Sequence, residues 1–112
     1  MAQDDMYVVM YKILAYLYDC MKHGAKPAQS HYTHDGDLYR IPYPYWAQIM
    51  HELVEHGYVD GIVVFEDMSG DLIVDVADPR ITMEGVQFLQ ENSMMQKALR
   101  FLKETKIALP FI

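Results

Sequence analysis

Between Gly57 and Thr82 the sequence changes character twice, and this limits what the chain can become. Val59 to Phe65 and Leu72 to Val76 are rich in β-branched residues. Glu66-Asp67-Met68-Ser69-Gly70-Asp71 supplies a turn between them, so the pair reads as a β-hairpin ended by Asp78-Pro79. A helix leads into it. Pro42 and Pro44 suit a helix start, and Trp46, Ile49, Met50, Leu53 and Val54 then form a narrow apolar stripe. Gln48, His51, Glu52 and Glu55 make the polar face of that helix. Gly57 is placed for a left-handed C-cap closed by Tyr58. Beyond the hairpin, Thr82 is an N-cap for a helix with Val86, Phe88 and Leu89 as apolar contacts.

The flanks are helical too. A first helix is expected from about Asp4 to His23, with acidic residues at its positive end and Gly24 at its stop. Met6, Met10, Ile13, Leu14, Leu17 and Met21 recur at helical spacing, and Tyr7, Tyr11 and Tyr18 lie beside them. The combined apolar arc is about 160°, wider than a surface helix needs. Ala25 to Ile41 is rich in turn formers, with a short helix expected around His34 to Leu38. A last helix, about 93–106, starts at Ser93, which has capping-box spacing to Gln96. Met94, Met95, Ala98, Leu99, Phe101 and Leu102 cover a broad arc of it, and an apolar tail, 107–112, follows.

Helix, turn-rich segment, helix, hairpin, helix is the order of a winged helix-turn-helix, here with an additional C-terminal helix. The fold class is mainly α with a small β-hairpin (α+β). Two apolar helix faces and the hairpin close the three sides of a small core. At 112 residues, residues 1–112 fit one winged-helix-like domain. The chain also resembles the YjcQ-like family of small winged-helix proteins from Gram-positive bacteria and their phages. The resemblance rests on Tyr16-Leu17-Tyr18, on Ile41-Pro42-Tyr43-Pro44-Tyr45-Trp46, on Gly57-Tyr58-Val59-Asp60-Gly61, and above all on the run from Ile81-Thr82-Met83-Glu84-Gly85 through Ser93. It implies a fold and a phage or prophage setting, and brings no catalytic residues.

Charge bears on function directly. Nine basic against sixteen acidic residues leave −7, which repels nucleic acid and anionic membranes overall. Pro42 to Gly57 and the hairpin from Tyr58 to Pro79 contain no Lys or Arg, while the hairpin holds Asp60, Glu66, Asp67, Asp71, Asp75 and Asp78. These are the two surfaces a winged helix presses on phosphate, and phosphate contact by Lys and Arg supplies most non-specific affinity. A DNA-binding transcriptional regulator is therefore the alternative reading, with Tyr43, Tyr45, Gln48 and His51 as its DNA-facing positions. Basic charge sits instead in Ser93 to Ile112, where Lys97, Arg100, Lys103 and Lys106 oppose Glu104, a balance of +3. The preceding residues hold 5 basic and 15 acidic groups, a balance of −10.

No residue pattern points to catalysis, a cofactor or a metal. His51 and His56 are five apart, about 140° on the helical wheel, where a zincin needs histidines four apart on one face. His31 and His34 with Asp35 and Asp37 read as a turn-rich loop able at most to bind metal adventitiously. Cys20, the single cysteine, excludes an intrachain disulfide and reads as a buried thiol. The acidic N-terminus is unlike a secretory leader, and apolar stretches fall far short of the ~20 residues that cross a bilayer, so a cytoplasmic setting is expected.

The chain carries more apolar surface than such a module readily covers. The first helix is apolar over a wide arc, the hairpin on both faces, and the tail adds Ile107, Leu109, Phe111 and Ile112. Covering these in trans favours a homodimer, with Tyr7, Tyr11, Tyr18, Phe101, Leu109, Phe111 and Ile112 as the dimer or partner surface. The expected function is a non-enzymatic interaction module acting through protein contacts, with an unidentified protein partner and no membrane or cofactor.

Overall fold

A computed structural model describes residues 1–107 and Leu109. The elements run α1 (Met6–His23), α2 (Gln29–Tyr32), α3 (Tyr43–Glu55), β1 (Val59–Glu66), β2 (Leu72–Ile81), α4 (Met83–Glu91) and α5 (Ser93–Glu104). The strands form one antiparallel hairpin. Mainly helical with a single wing, this mixed α+β architecture is compatible with a small winged-helix-like fold. The expected tail residues Phe111 and Ile112 lie outside the described residues.

The first helix is more central than a wide amphipathic stripe suggests. Asp5 caps it, its carboxylate accepting from the Tyr7 amide at 2.9 Å. Gly24 ends it at φ 65°, and the amides of Gly24 and Ala25 satisfy the carbonyls of Met21 and Cys20. Every residue from Val8 to Leu17 is buried. The helix is hydrophobic nearly all round because neighbours lie all round it: α3, α4, α5 and β2 all pack on α1. Much of the apolar surplus expected to need a second chain is thus covered within this one, Tyr11 and Leu109 included.

One consequence is a lysine in the core. Lys12 is 4% exposed, and its Nζ donates to the Leu38 carbonyl at 2.9 Å. Burial holds its pKa below the ordinary 10.5. The segment between α1 and α3 supplies that carbonyl and is itself tied down by aromatic groups. The Tyr32 carbonyl accepts from both the Tyr39 hydroxyl (2.6 Å) and the Trp46 indole N–H (3.0 Å). The Tyr16 hydroxyl accepts from the Ala28 amide at 2.7 Å. The short helix of this segment is Gln29–Tyr32, earlier than the expected His34 to Leu38. Asp35-Gly36-Asp37 makes a turn instead, with the Asp37 amide on the Ser30 carbonyl at 2.7 Å and an isolated bridge from Asp35 to Arg40.

Burial raises the pKa of Tyr11, Tyr16, Tyr32, Tyr39 and Tyr45 above the ordinary 10.0. The unfolded chain therefore loses these protons first, and the stability they confer is complete below pH 10.0 and falls as pH rises beyond it. Lys12 acts oppositely: its native form binds protons less tightly than the unfolded form, so its contribution rises with pH up to about 10.5. Five groups outweigh one, so the melting temperature is expected to drop above pH 10 in a circular-dichroism series. An unchanged midpoint at pH 11 would contradict these burials.

The hairpin runs further than Asp78-Pro79, its expected end. Strand β2 continues to Ile81 because the register shifts: Ile62 faces Val76, whereas Asp60 faces Arg80 and Val59 faces Ile81. This irregularity absorbs the proline, which has no N–H for a ladder. Gly61 takes φ 78° there, where a Cβ would overlap the Asp78 carbonyl oxygen. At the tip, Asp67 accepts from the Ser69 amide (2.9 Å), the Ser69 hydroxyl (2.7 Å) and the Asp71 amide (3.0 Å). These bonds, the Ser69 side chain foremost, hold its carboxyl below the usual range.

Hairpin and helices meet at one joint. Gly57 leaves α3 at φ 73°, and the Tyr58 amide returns to the Leu53 carbonyl at 2.9 Å. Thr82 then welds this exit to the start of α4. Its hydroxyl donates to the Gly57 carbonyl (2.5 Å) and accepts from the Gly85 amide (3.0 Å), while its own amide donates to the Tyr58 carbonyl (3.1 Å). Tyr58 stacks on Phe88 with ring centroids 4.2 Å apart. The next cap differs from the expected Ser93–Gln96 box. Asn92 caps α5, accepting from the amides of Met94 and Met95, because it holds the extended position just before the helix, whereas Ser93 is already the first helical residue. Gln96 instead donates to the carbonyls of Gln90 (2.7 Å) and Leu89 (3.4 Å).

Candidate interaction surfaces

Helix α3 and the wing enclose a cleft of about 470 Å³, lined by Tyr43, Pro44 and Gln48 on one side and Asp67, Asp71 and Ile73 on the other. Tyr43 joins its walls, since its hydroxyl accepts from the Val74 amide at 3.0 Å. The Tyr45 hydroxyl donates to the Asp4 carbonyl at 2.6 Å. Two of the four DNA-facing candidates thus have their hydroxyls engaged within the chain. Gln48 is exposed and His51 half-buried.

The outer face of the wing is apolar and open. Val63 is 59% and Phe65 48% exposed, and Met68 at the tip is fully exposed. Cross-strand partners share a face, so Asp75 stands beside Val63 and Ile73 beside Phe65. Glu66, Asp67 and Asp71 surround Met68 along the chain, and all three are exposed. An apolar surface rimmed by a single sign of charge has the anatomy of a contact site.

A second surface lies on the opposite pole of charge. A groove of about 310 Å³ runs between α1, α4 and α5, with Tyr11, Ala15, Leu89 and Leu99 as its apolar lining. Lys22 and Lys103 stand among its walls. The Lys22 ammonium lies 4.7 Å above the Tyr18 ring, a cation–π contact that holds it there. Gln90 donates to the Tyr18 hydroxyl at 3.5 Å. Lys97, Arg100 and Lys103 are exposed along α5, whose buried stripe is Met95, Ala98 and Leu102. Of the expected partner surface, Tyr11 and Tyr18 come together here. Tyr7 lines a separate cleft of about 200 Å³ with Met6, His56 and Phe88, and Phe101 is half-buried against the core.

The sequence reading did not find this groove, because its walls come from three helices distant along the chain. One local signal existed: Lys22 stands four residues after Tyr18, and Lys103 four after Leu99, so each cation borders an apolar residue on its own helix.

The histidines separate into local pairs. His56 Nδ1 lies 2.8 Å from the Glu52 carbonyl oxygen and 3.6 Å from its carboxylate. His31 Nδ1 is 3.2 Å from Asp37, close enough for a charge contact but without hydrogen-bond geometry. His34 Nδ1 meets the Ile41 carbonyl at 3.1 Å and its ring packs edge-on against Tyr43. Among the described residues, no group of three or more His, Cys, Asp or Glu converges as metal ligands would. Cys20 is a free, buried thiol, and no described helix is long and apolar enough to cross a membrane.

Comparison with known proteins places the fold's signature residues in one family. A family model described as YjcQ protein matches residues 11–107. No curated protein and no solved structure matches the chain. The matched span takes in the whole Gly57–Gly61 exit and the Ile81–Gly85 joint, whose backbone contacts are described above. There Gly57 and Gly61 take positive φ, Gly85 allows a close backbone approach, and Thr82 caps α4. On that match, the chain belongs to the YjcQ family.

Proposed function

We propose that this protein is a non-enzymatic winged-helix interaction module that acts through protein contacts, in the cytoplasm and in a phage or prophage setting. One observation carries the reading: α3 and the wing from Tyr58 to Pro79 hold carboxylates and no Lys or Arg, the one arginine of β2, Arg80, standing at the wing's base 4.0 Å from the Asp78 carboxylate, and the wing adds exposed Val63, Phe65 and Met68. A duplex would meet repulsion there, whereas a protein surface with apolar anchors would bury those side chains. About half of each of Phe65 and Val63 is exposed, and covering that half contributes on the order of 1 kcal/mol each. The groove bordered by Lys22 and Lys103 gives the same chain a second contact surface, and self-association belongs to this reading.

The test is a fluorescence-anisotropy titration with random duplex DNA at low and moderate salt. No salt-sensitive binding in the micromolar range is expected. Binding that weakens steeply with salt would overturn the reading and favour a transcriptional regulator, because released counterions report phosphate contacts.

A further inference from the structure

We infer that the α1–α4–α5 groove receives the wing tip of a second copy of this chain, an inference that rests on the protein-contact reading above. Charge complementarity selects this occupant. The groove is bordered by Lys22 and Lys103, with Lys97 and Arg100 exposed on the same helix as Lys103. The wing tip carries Glu66, Asp67 and Asp71 around a fully exposed Met68. Neither set of charge has an ion-pair partner, although Lys22 rests on the Tyr18 ring and Asp67 and Asp71 accept hydrogen bonds within the turn. Among the described residues, the ion pairs are four histidine–carboxylate pairs and one between Arg80 and Asp78, so none uses these lysines or the Glu66, Asp67 and Asp71 carboxylates. The apolar parts match as well. Met68 is an unbranched, adaptable side chain suited to an irregular apolar floor such as Tyr11, Ala15, Leu89 and Leu99.

The whole molecule works against this contact, since copies of charge −7 repel one another. That repulsion acts at long range and is largely screened at about 0.1 M salt, where the Debye length is about 10 Å. Direct lysine–carboxylate pairs survive that screening and are lost near 1 M, where it is about 3 Å. When each copy offers its wing to the other's groove, the assembly closes as a two-fold dimer. This differs from a dimer in which α1 and α5 of two copies meet face to face.

Light scattering after size exclusion, over a concentration series, tests the contact. At about 0.1 M salt the mass is expected above that of one chain, falling to one chain near 1 M. Two variants then separate the geometries: a groove variant, Lys22→Glu with Lys103→Glu, and a wing variant, Glu66→Gln with Met68→Ser and Asp71→Asn. Each alone is expected to be monomeric, since neither offers both halves of a contact. Their equimolar mixture is expected to form a 1:1 complex, using the intact wing of the first and the intact groove of the second. A wild-type monomer under all conditions overturns the inference. So does a wing variant that keeps the wild-type mass, or a mixture that stays monomeric. Carbodiimide crosslinking of mixed light and heavy isotope-labelled wild type tests the contact without substitutions. Lys103 or Lys22 joined to a wing-tip carboxylate across labels supports it, and no such product sinks it. The DNA titration reads the underlying function separately.

Discussion

Gly85→Ala is expected to destabilise the protein by about 3 kcal/mol or more, the upper range of overpacking. Helix propensity points the other way, because alanine is favoured over glycine by about 1 kcal/mol in a helix interior. Packing decides the sign. A Cβ at Gly85 would sit 2.2 Å from the Tyr58 carbonyl oxygen and 2.8 Å from Ile81 Cγ1. The first is backbone, and it cannot swing aside without breaking its hydrogen bond from the Thr82 amide. Relief would require α4 to lift off the α3 exit, loosening the Tyr58–Phe88 stack with it. At about 4–8 °C per kcal/mol, the melting temperature falls by about 12–24 °C. Gly57→Ala is the control. That site has open space but φ 73°, so its cost is backbone strain alone, about 1–2 kcal/mol. A Gly85→Ala melting temperature within a few degrees of wild type would show that the joint is not close-packed.

Trp46→Ala is expected to cost about 3–5 kcal/mol, the range for removing a buried large aromatic. Trp46 is buried between α3 and the segment that follows α1, against Tyr43 and His34. Its indole N–H also anchors that segment at the Tyr32 carbonyl. Trp46→Phe separates the two roles. It keeps most of the packing and loses the hydrogen bond, whose net worth is about 1 kcal/mol. The loss is limited because the Tyr32 carbonyl still accepts from the Tyr39 hydroxyl. Urea unfolding followed by far-UV circular dichroism gives both values, since removing the single tryptophan abolishes its fluorescence. Equal losses in the two variants would mean that the hydrogen bond dominates, contrary to this account.

These two sites explain why the family signature is legible without revealing an activity. Gly57, Gly61, Thr82 and Gly85 each meet a backbone demand: a left-handed turn, a register shift, a three-way cap, a close approach. Such demands specify the module and not its partner. The acidic character of α3 and the wing was equally readable, because it is a matter of which residues are absent from two continuous segments. The groove was not, since Tyr18, Leu89 and Lys103 become neighbours only when three helices pack.

Local chemistry alone settled the existence of the hairpin, the glycine stops at Gly24 and Gly57, the cap at Thr82 and an acidic cap for α1, which the structure assigns to Asp5, since each depends on a few adjacent residues and short-range backbone geometry. Tertiary packing decided the rest. It buried Lys12 by setting the Leu38 carbonyl over it, carried β2 past Pro79 by shifting register at Gly61, and surrounded α1 so that its broad apolar girth is covered within one chain. Periodicity reports how wide an apolar arc is but not how many neighbours meet it, and that number follows from the whole chain folding at once.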